Sequence, residues 1–114
     1  VFSNDSLFPM DSIELSEEGK AQLKAIVDNT TTDQRIIVEG HTDSVPVPEV
    51  LNGDYSSNWE LSASRAIRVI NYMQELGVEG SRLESHAFAE FRPAASNETE
   101  EGRSRNRRIE ILIR

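Results

Sequence analysis

The sequence predicts an α/β fold of the α+β sandwich type, with two helices packed on a mixed β-sheet. Two segments carry apolar residues at helical spacing, and short β-branched segments lie between and after them. The predicted order is therefore strand, helix, strand, helix, strand, strand, and helices that alternate with strands pack as layers on a sheet. The length of 114 residues is enough for one stable core, so residues 1–114 are predicted to form one domain.

The first predicted strand is Val1–Phe8, which ends at Pro9 because proline lacks the N–H that a strand ladder needs. The first helix begins after Ser16, whose hydroxyl suits an N-cap, and the two glutamates that follow favour the positive end of a helix. This helix reaches about Asn29. Its apolar face consists of Leu23, Ile26 and Val27.

A second strand and a long polar loop follow. The β-branched run Ile36-Ile37-Val38 predicts that Arg35–Glu39 is a strand buried on both faces. Gly40 ends this strand. Residues 41–57 are predicted to be loop, because they contain two prolines and the turn signal Asn52-Gly53.

The second predicted helix begins with a capping-box pattern. Ser57 is the N-cap candidate, with Glu60 at the third helical position, although Asn58 also fits the role of cap. The helix runs to about Leu76, and Gly77 ends it. The residues expected to face the core share one side at about 100° per residue, and they are Trp59, Ala63, Ala66, Ile70 and Met73.

The last part of the chain is predicted to supply two strands. The first of them is Leu83–Ala89. The segment Glu90–Arg105 is polar and contains Pro93 and Gly102, so it is predicted to be irregular. Isoleucines alternate in Ile109–Ile113, as is typical of a half-buried strand.

Opposite charges flank the predicted loop. Asp43 lies at its mouth, and Arg65 lies two turns into the second helix. Asn58 and Arg65 are within about 20° of each other on the helix, and a helical arginine leans towards the N-terminus of its helix, so Arg65 is expected to reach back towards Asp43. A guanidinium pairs with a carboxylate, and an aspartate accepts from an ammonium group. The pair therefore suits a ligand that is a zwitterion.

Each of these charges also has a purely structural interpretation. Asp43 could be a turn residue that accepts from backbone amides, and Arg65 could form a structural salt bridge with Asp43. Arg107 and Arg108 could form an ordinary charged strand edge.

Composition excludes several functional classes. The net charge of −8 argues against nucleic acid as the main partner, and the absence of cysteine excludes disulfides and thiolate metal sites. His41, Asp43 and His86 lack the spacing of a metal site, so neither a metal nor a cofactor is expected. Without a nucleophile elbow or a phosphate loop, the chain is not expected to be an enzyme. No apolar run long enough to span a membrane and no signal peptide is visible.

Three separated motifs resemble the OmpA-like peptidoglycan-binding domain family and occur in that family's order. They are Gly40-His41-Thr42-Asp43, then Asn58-x-x-Leu61-Ser62-x-x-Arg65-Ala66, then Glu101-Gly102-Arg103 followed by Asn106-Arg107-Arg108. The resemblance covers nearly the whole chain. The long loop after Asp43 and the segment Ser57–Ser62 are most similar to the C-terminal domain of MotB-type flagellar stator proteins.

The resemblance implies non-covalent binding of peptidoglycan through the meso-diaminopimelate residue of the stem peptide. It assigns Asp43 to the ammonium group of diaminopimelate and Arg65 to its carboxylate. The other pocket residues that it implies are Thr42, Asn58, Leu61 and Arg107.

The resemblance also implies a setting. A MotB-type parent would anchor a flagellar motor stator to the cell wall, as a homodimer beside an ion-channel partner subunit. The domain would then be periplasmic, with an inner-membrane anchor outside this chain. The alternative is an OmpA- or Pal-like protein that tethers the outer membrane to peptidoglycan. An upstream transmembrane helix with an intramembrane aspartate would indicate the first, and a barrel or a lipidated cysteine the second.

Overall fold

Strands and helices alternate along the chain in this computed structural model, which describes residues 2–3 (backbone only), 7–8, 14–45 and 57–114. The elements are β1 (Phe2–Ser3), α1 (Glu17–Asp28), β2 (Ile36–His41), α2 (Asn58–Glu75), β3 (Leu83–Ala87), α3 (Glu100–Asn106) and β4 (Arg108–Ile113). A 3-10 turn, Gly80–Arg82, precedes β3.

The strands form one mixed sheet in the order β1-β4-β2-β3. β2 lies inside the sheet, parallel to β3 and antiparallel to β4, and β1 adds a two-residue antiparallel edge to β4. α2 is the crossover between the parallel strands β2 and β3, as parallel pairing requires. The predicted sandwich with a mixed sheet is confirmed, and α3 adds a helix that the sequence analysis does not predict.

The core lies between the sheet and the helices α1 and α2. Because side chains alternate along a strand, Ile36 and Val38 face this core, whereas Ile37 and Glu39 face the other side. The first two are fully buried and the other two only partly. The prediction that β2 is buried on both faces is therefore wrong. The buried core consists of Leu7, Phe8, Leu23, Ile36, Val38, Ala66, Val69, Met73, Val78 and Ile109.

The predicted helix ends are confirmed by their hydrogen bonds. The Ser16 hydroxyl accepts from the Gly19 N–H at 2.9 Å, and the Ser57 hydroxyl accepts from the Glu60 N–H at 3.3 Å. Asn58 is thus the first residue of α2 and not its cap. After α2, Gly77 has a φ of +100°, a conformation that glycine adopts without a steric penalty.

α2 approaches β2 closely at Gly40. A Cβ atom on Gly40 would lie 2.2 Å from the carbonyl oxygen of Ser62. The Ser62 hydroxyl in turn accepts from the Ala89 N–H at 3.2 Å, which ties α2 to the segment after β3. The first two turns of α2 are therefore held over the carboxyl ends of β2 and β3.

Trp59 is not a core residue, contrary to the prediction. Its side chain is 51% exposed and stacks on Phe91, with the ring centroids 5.3 Å apart. Its helical phase matches that of Ala66, but it lies in the first turn of α2, which overlies the segments after β2 and β3 and not the sheet. The buried side of α2 consists of Asn58, Leu61, Ser62, Arg65, Ala66, Val69 and Met73.

Several predicted strand boundaries shift. Of the described residues in the predicted strand Val1–Phe8, only Phe2–Ser3 is strand, and Leu7 and Phe8 instead lie in the core. β2 continues through Gly40 and His41, and β3 ends at Ala87. Most of the predicted loop, with its two prolines and the Asn52-Gly53 turn, lies outside the described residues.

Helix α3 lies in the segment that was predicted to be irregular. The Thr99 hydroxyl caps it by accepting from the Gly102 N–H at 3.0 Å, with glutamates in the first turn and arginines in the last. A Cβ on Gly102 would lie 1.8 Å from the carbonyl oxygen of Ser96, so close backbone packing requires this glycine. Seven residues are too few for an apolar period to be visible in the sequence.

None of the helices in the described part of the chain has the length and apolar character needed to cross a membrane.

Candidate ligand-binding site

The six candidate site residues come from three parts of the fold around the carboxyl end of β2. Thr42 and Asp43 directly follow β2, and Arg107 lies between α3 and β4. The other three lie on the first two turns of α2 and are Asn58, Leu61 and Arg65. All except Arg107 are buried, with 3–9% of their surface exposed.

The carboxylate of Asp43 accepts from a backbone N–H and from a charged side chain. Its Oδ1 atom accepts from the Val45 N–H at 3.0 Å, and its Oδ2 atom accepts from Nη1 of Arg107 at 2.8 Å. The turn interpretation of Asp43 is therefore confirmed. The described residues show an ion pair of Asp43 with Arg107, whereas the partner considered from the sequence is Arg65. A carboxylate has about four acceptor positions, so Asp43 retains capacity for a ligand donor.

Thr42 and Asn58 fix the backbone that carries Asp43. The Thr42 hydroxyl and Nδ2 of Asn58 both donate to the Asp43 carbonyl, at 2.9 and 3.4 Å, and Nδ2 of Asn58 also donates to the Val45 carbonyl at 3.1 Å. The Thr42 N–H donates to the Ala89 carbonyl at 2.9 Å. These bonds hold the turn after β2 against both α2 and the segment after β3.

Arg107 connects the site to α3. Its Nη1 atom donates to Asp43, and its Nη2 atom donates to Oε1 of Glu100 at 2.7 Å. Hydrogen bonds from Arg107 and Arg103 hold the pKa of the Glu100 carboxyl below its ordinary value. Arg107 is thus not part of a charged strand edge, and Glu100 is a neighbour of the site that the sequence analysis did not identify. The acidic first turn of α3, after Thr99, is the signal that could have revealed it.

Arg65 is buried more deeply than its predicted place at the edge of the apolar stripe. Only 8% of its surface is exposed, and its guanidinium carbon lies 5.6 Å from the centre of the Phe8 ring. A cation over an aromatic face is attracted by the ring quadrupole. Because it follows Asn58 and Leu61 by seven and four residues, Arg65 lies on the same face of α2.

Asn106 and Arg108, the neighbours of Arg107 in its motif, have structural partners. Oδ1 of Asn106 accepts from the backbone N–H groups of Ala94 and Ala95, at 2.7 and 2.9 Å. Arg108 donates from Nε to Glu110 at 2.7 Å and from Nη2 to the Arg92 carbonyl at 2.9 Å. Asn106 and Arg108 therefore hold the segment between β3 and α3 in place.

One group among the described residues has the composition of a metal site. The side chains of Glu39, His41 and Glu110 each place a donor atom within 4.8 Å of the others. Nε2 of His41 lies 3.5 Å from Glu39 and 3.7 Å from Glu110.

Glu39 and Glu110 are directly opposed in the β2–β4 register, as are His41 and Arg108. Because Arg108 already donates to Glu110, it supplies the positive charge that two opposed carboxylates require. His86, which the sequence analysis considered with His41, lies beside Glu84.

This cluster makes the stability of the domain depend on pH. Burial lowers the pKa of His41 below its ordinary value of 6.5, and Arg108 lowers it further, while Glu39 and Glu110 act in the opposite direction. As the pH falls below about 6.5, His41 of the unfolded chain binds a proton before His41 of the folded chain does. The free energy of unfolding therefore decreases as the pH falls from about 7 to about 5.

We expect His41→Gln to reduce the change in melting temperature between about pH 7 and pH 5, because glutamine does not titrate. Thermal melts followed by circular dichroism over this range measure the effect. The chain has two histidines, and the exposed His86 gives the matched control His86→Gln. An unchanged pH dependence in His41→Gln would contradict this assignment.

An exposed aromatic pair lies next to the candidate site. Trp59 directly follows Asn58, and Phe91, on which it stacks, is 63% exposed. The sequence pattern predicts that Trp59 lies in the core, and Phe91 is not among the predicted site residues. The available signal for the exposure of Phe91 is its position in the polar segment Glu90–Arg105, two residues before Pro93.

Similarity to known proteins extends over nearly the whole chain. The OmpA family matches residues 7–107. Motility protein B of Bacillus subtilis is 44% identical over 85 residues, covering 70% of this chain and 30% of that protein. Peptidoglycan-binding protein ArfA of Mycobacterium bovis is 36% identical over 115 residues, covering 99% of this chain and 31% of that protein. The chain therefore spans about a third of the length of each of these relatives.

The fold is also shared with solved structures. The crystal structure of a putative MotB-like protein from Desulfovibrio vulgaris matches with a TM-score of 0.88 and 31% identity, covering 97% of this chain and 68% of that one. The resemblance to MotB-type domains, inferred from the loop after Asp43 and the segment Ser57–Ser62, is thus confirmed by sequence and by structure. Because the family match, the order of the motifs and the fold agree, the chain belongs to the OmpA family.

Proposed function

We propose that this domain is a non-catalytic module that binds peptidoglycan non-covalently, through the meso-diaminopimelate of the stem peptide. The observation that carries the proposal is the pair of buried opposite charges, Asp43 after β2 and Arg65 on α2. A carboxylate can accept from an ammonium group while it also pairs with Arg107, and a guanidinium can donate to a carboxylate, so these two side chains suit a ligand that carries both charges. Support also comes from the relative ArfA, which is named as a peptidoglycan-binding protein.

The chemistry of the proposed ligand matches both charges. The free end of diaminopimelate carries an ammonium and a carboxylate on one carbon. In the proposed complex Asp43 accepts from the ammonium, and the guanidinium of Arg65 donates two parallel hydrogen bonds to the carboxylate. Leu61, 3% exposed, supplies the apolar wall beside them.

The remaining candidate residues position this pair in the proposal. Thr42 and Asn58 hold the carbonyl of Asp43, and Arg107 holds its carboxylate through Oδ2. The ligand ammonium then takes acceptor positions that Arg107 leaves open. All six residues thus act together, two by binding the charges of the ligand and four by shaping the pocket.

For the whole protein, we propose a MotB-type stator that is anchored to the cell wall through this domain. Support comes from the similarity to Motility protein B and to the MotB-like structure. In this setting the domain is periplasmic and belongs to a homodimer that acts with an ion-channel partner subunit. The whole protein is then anchored in the inner membrane.

The proposed specificity is tested with three stem peptides that differ only at the third residue. We expect binding to the peptide with free meso-diaminopimelate, and much weaker binding to the peptide with lysine or with amidated diaminopimelate. Lysine removes the carboxylate and leaves the buried guanidinium of Arg65 without its match. Amidation removes the charge, and the NH₂ group cannot accept from the guanidinium.

Isothermal titration calorimetry or NMR titration of this chain measures the three affinities. A loss of about tenfold or more for lysine and for the amide is expected, which corresponds to about 1.4 kcal/mol or more. Equal affinity for all three peptides would show that Arg65 does not bind this carboxylate. No binding to any of them, nor to intact sacculi, would refute peptidoglycan binding itself.

A further inference from the structure

We propose that Trp59 and Phe91 form a second subsite, which binds a sugar ring of the glycan strand next to the stem peptide. This inference rests on the proposed function, because it assigns a further part of the same ligand to a surface beside the pocket. The ligand class is an uncharged, N-acetylated pyranose. The side chains of Trp59 and Phe91 together form the aromatic pair.

The aromatic pair is exposed yet ordered. Its rings are stacked at 5.3 Å with 27° between their planes, although Trp59 is 51% and Phe91 63% exposed. Each ring therefore has one face against its partner and much of its remaining surface open to solvent. Two large aromatic residues exposed together mark a binding surface more often than a single exposed apolar residue does.

The backbone holds the aromatic pair in a fixed relation to the pocket. Trp59 directly follows Asn58, whose side chain donates to the turn that carries Asp43. Phe91 lies two residues after Ala89, whose carbonyl accepts from the Thr42 N–H and whose own N–H donates to Ser62. Trp59 is thus joined to the pocket by its peptide bond to Asn58, and Phe91 through the hydrogen bonds of the nearby Ala89.

The turn that positions Phe91 is also strained. Ala89 has a φ of +49°, in the left-handed region that residues other than glycine rarely adopt, and it is 1% exposed. Such conformations persist where the surrounding structure requires them, and they cluster at binding sites. The hydrogen bonds of Ala89 with Thr42 and Ser62 hold its backbone in this conformation.

A neutral sugar fits this surface better than other aromatic-binding ligands. The C–H groups of a pyranose carry slight positive charge and pack on the negative face of an aromatic ring. A nucleic acid would also stack on these rings, but the chain has a net charge of −8, which repels a phosphate backbone. The uncharged glycan meets no such repulsion.

The geometry of peptidoglycan matches the position of the aromatic pair. The stem peptide joins the sugar through its first residue, and diaminopimelate is the third. A stem peptide held at Asp43 and Arg65 therefore tethers its sugar within a few residue lengths of the pocket, and Trp59 lies beside the pocket because it directly follows Asn58.

The test compares two ligands on wild type and on variants of this chain. One ligand is the diaminopimelate stem peptide alone, and the other is the same peptide attached to its disaccharide. We expect wild type to bind the disaccharide–peptide about 3- to 10-fold more tightly, the range that stacking on an aromatic pair supplies. Trp59→Ala and Phe91→Ala are expected to lose this difference and to keep the affinity for the peptide alone.

Two controls separate stacking from folding. Ile67 is 47% exposed on the same helix, and Ile67→Ala is expected to keep the full difference between the ligands. The melting temperature of Trp59→Ala is expected to stay within about 5 °C of wild type, because the side chain is half exposed. Trp59 is the one tryptophan of the chain, so its fluorescence should change on addition of the disaccharide–peptide and not of the peptide.

The possible outcomes distinguish this inference from the proposed function. Equal wild-type affinity for both ligands would overturn the sugar subsite and leave peptide binding intact. Equal losses of both affinities in Trp59→Ala would also overturn it, because Trp59 would then act through the pocket. If wild type binds neither ligand, the sugar subsite and the proposed function both fail.

Discussion

Replacement of Asp43 by asparagine, or of Arg65 by methionine, is expected to weaken binding to peptidoglycan sacculi by about 30-fold or more. Each change leaves one charge of the ligand zwitterion buried without its partner, and such a loss costs about 2–5 kcal/mol. Asparagine keeps an oxygen that can accept from the Val45 N–H, and methionine keeps an apolar stem over the Phe8 ring. The changes therefore remove charge more than packing.

Sedimentation of the variants with purified sacculi measures this effect, and circular dichroism verifies the fold. Arg68→Met is the matched control, because Arg68 is exposed one turn after Arg65 on the same helix. Asp43→Asn also removes the ion pair with Arg107, so Arg107→Met separates the loss of that pair from the loss of the Asp43 charge. If folded Asp43→Asn and Arg65→Met both pellet like wild type, the site is assigned wrongly.

The second large effect is expected from Gly40→Ala, through stability. The new methyl group would lie 2.2 Å from the carbonyl oxygen of Ser62, and this oxygen belongs to the backbone of α2, so α2 must move away from β2. Overpacking of this kind costs about 1–3 kcal/mol or more, which corresponds to a fall in melting temperature of roughly 10 °C. Because Ser62 lies between the site residues Leu61 and Arg65, sacculus binding should weaken as well.

Gly80→Ala is the control for this experiment. A Cβ on Gly80 would lie 2.8 Å from Nε2 of Gln74, the far end of a flexible side chain that can move aside. We expect its melting temperature to stay within about 3 °C of wild type. A Gly40→Ala protein as stable as Gly80→Ala would show that α2 does not pack on β2 as closely as described.

The sequence by itself determined the features that depend on neighbouring residues. Both serine N-caps, the end of α2 before Gly77 and the presence of strand β4 follow from hydrogen bonds and side-chain patterns within a few residues. The mixed sandwich followed from the alternation of helices and strands. The three motifs identified the family because they occur in one order across the whole chain.

The tertiary structure decided what depends on residues far apart in the chain. Helical phase places Trp59 with the core residue Ala66, but it does not say that the first turn of α2 extends beyond the sheet, where Trp59 instead meets Phe91. The ion pair of Asp43 with Arg107 joins residues 64 apart. No local sequence pattern predicts a contact between residues so far apart in the chain. The contact forms because α2 and α3 pack against the end of β2 and bring these side chains together.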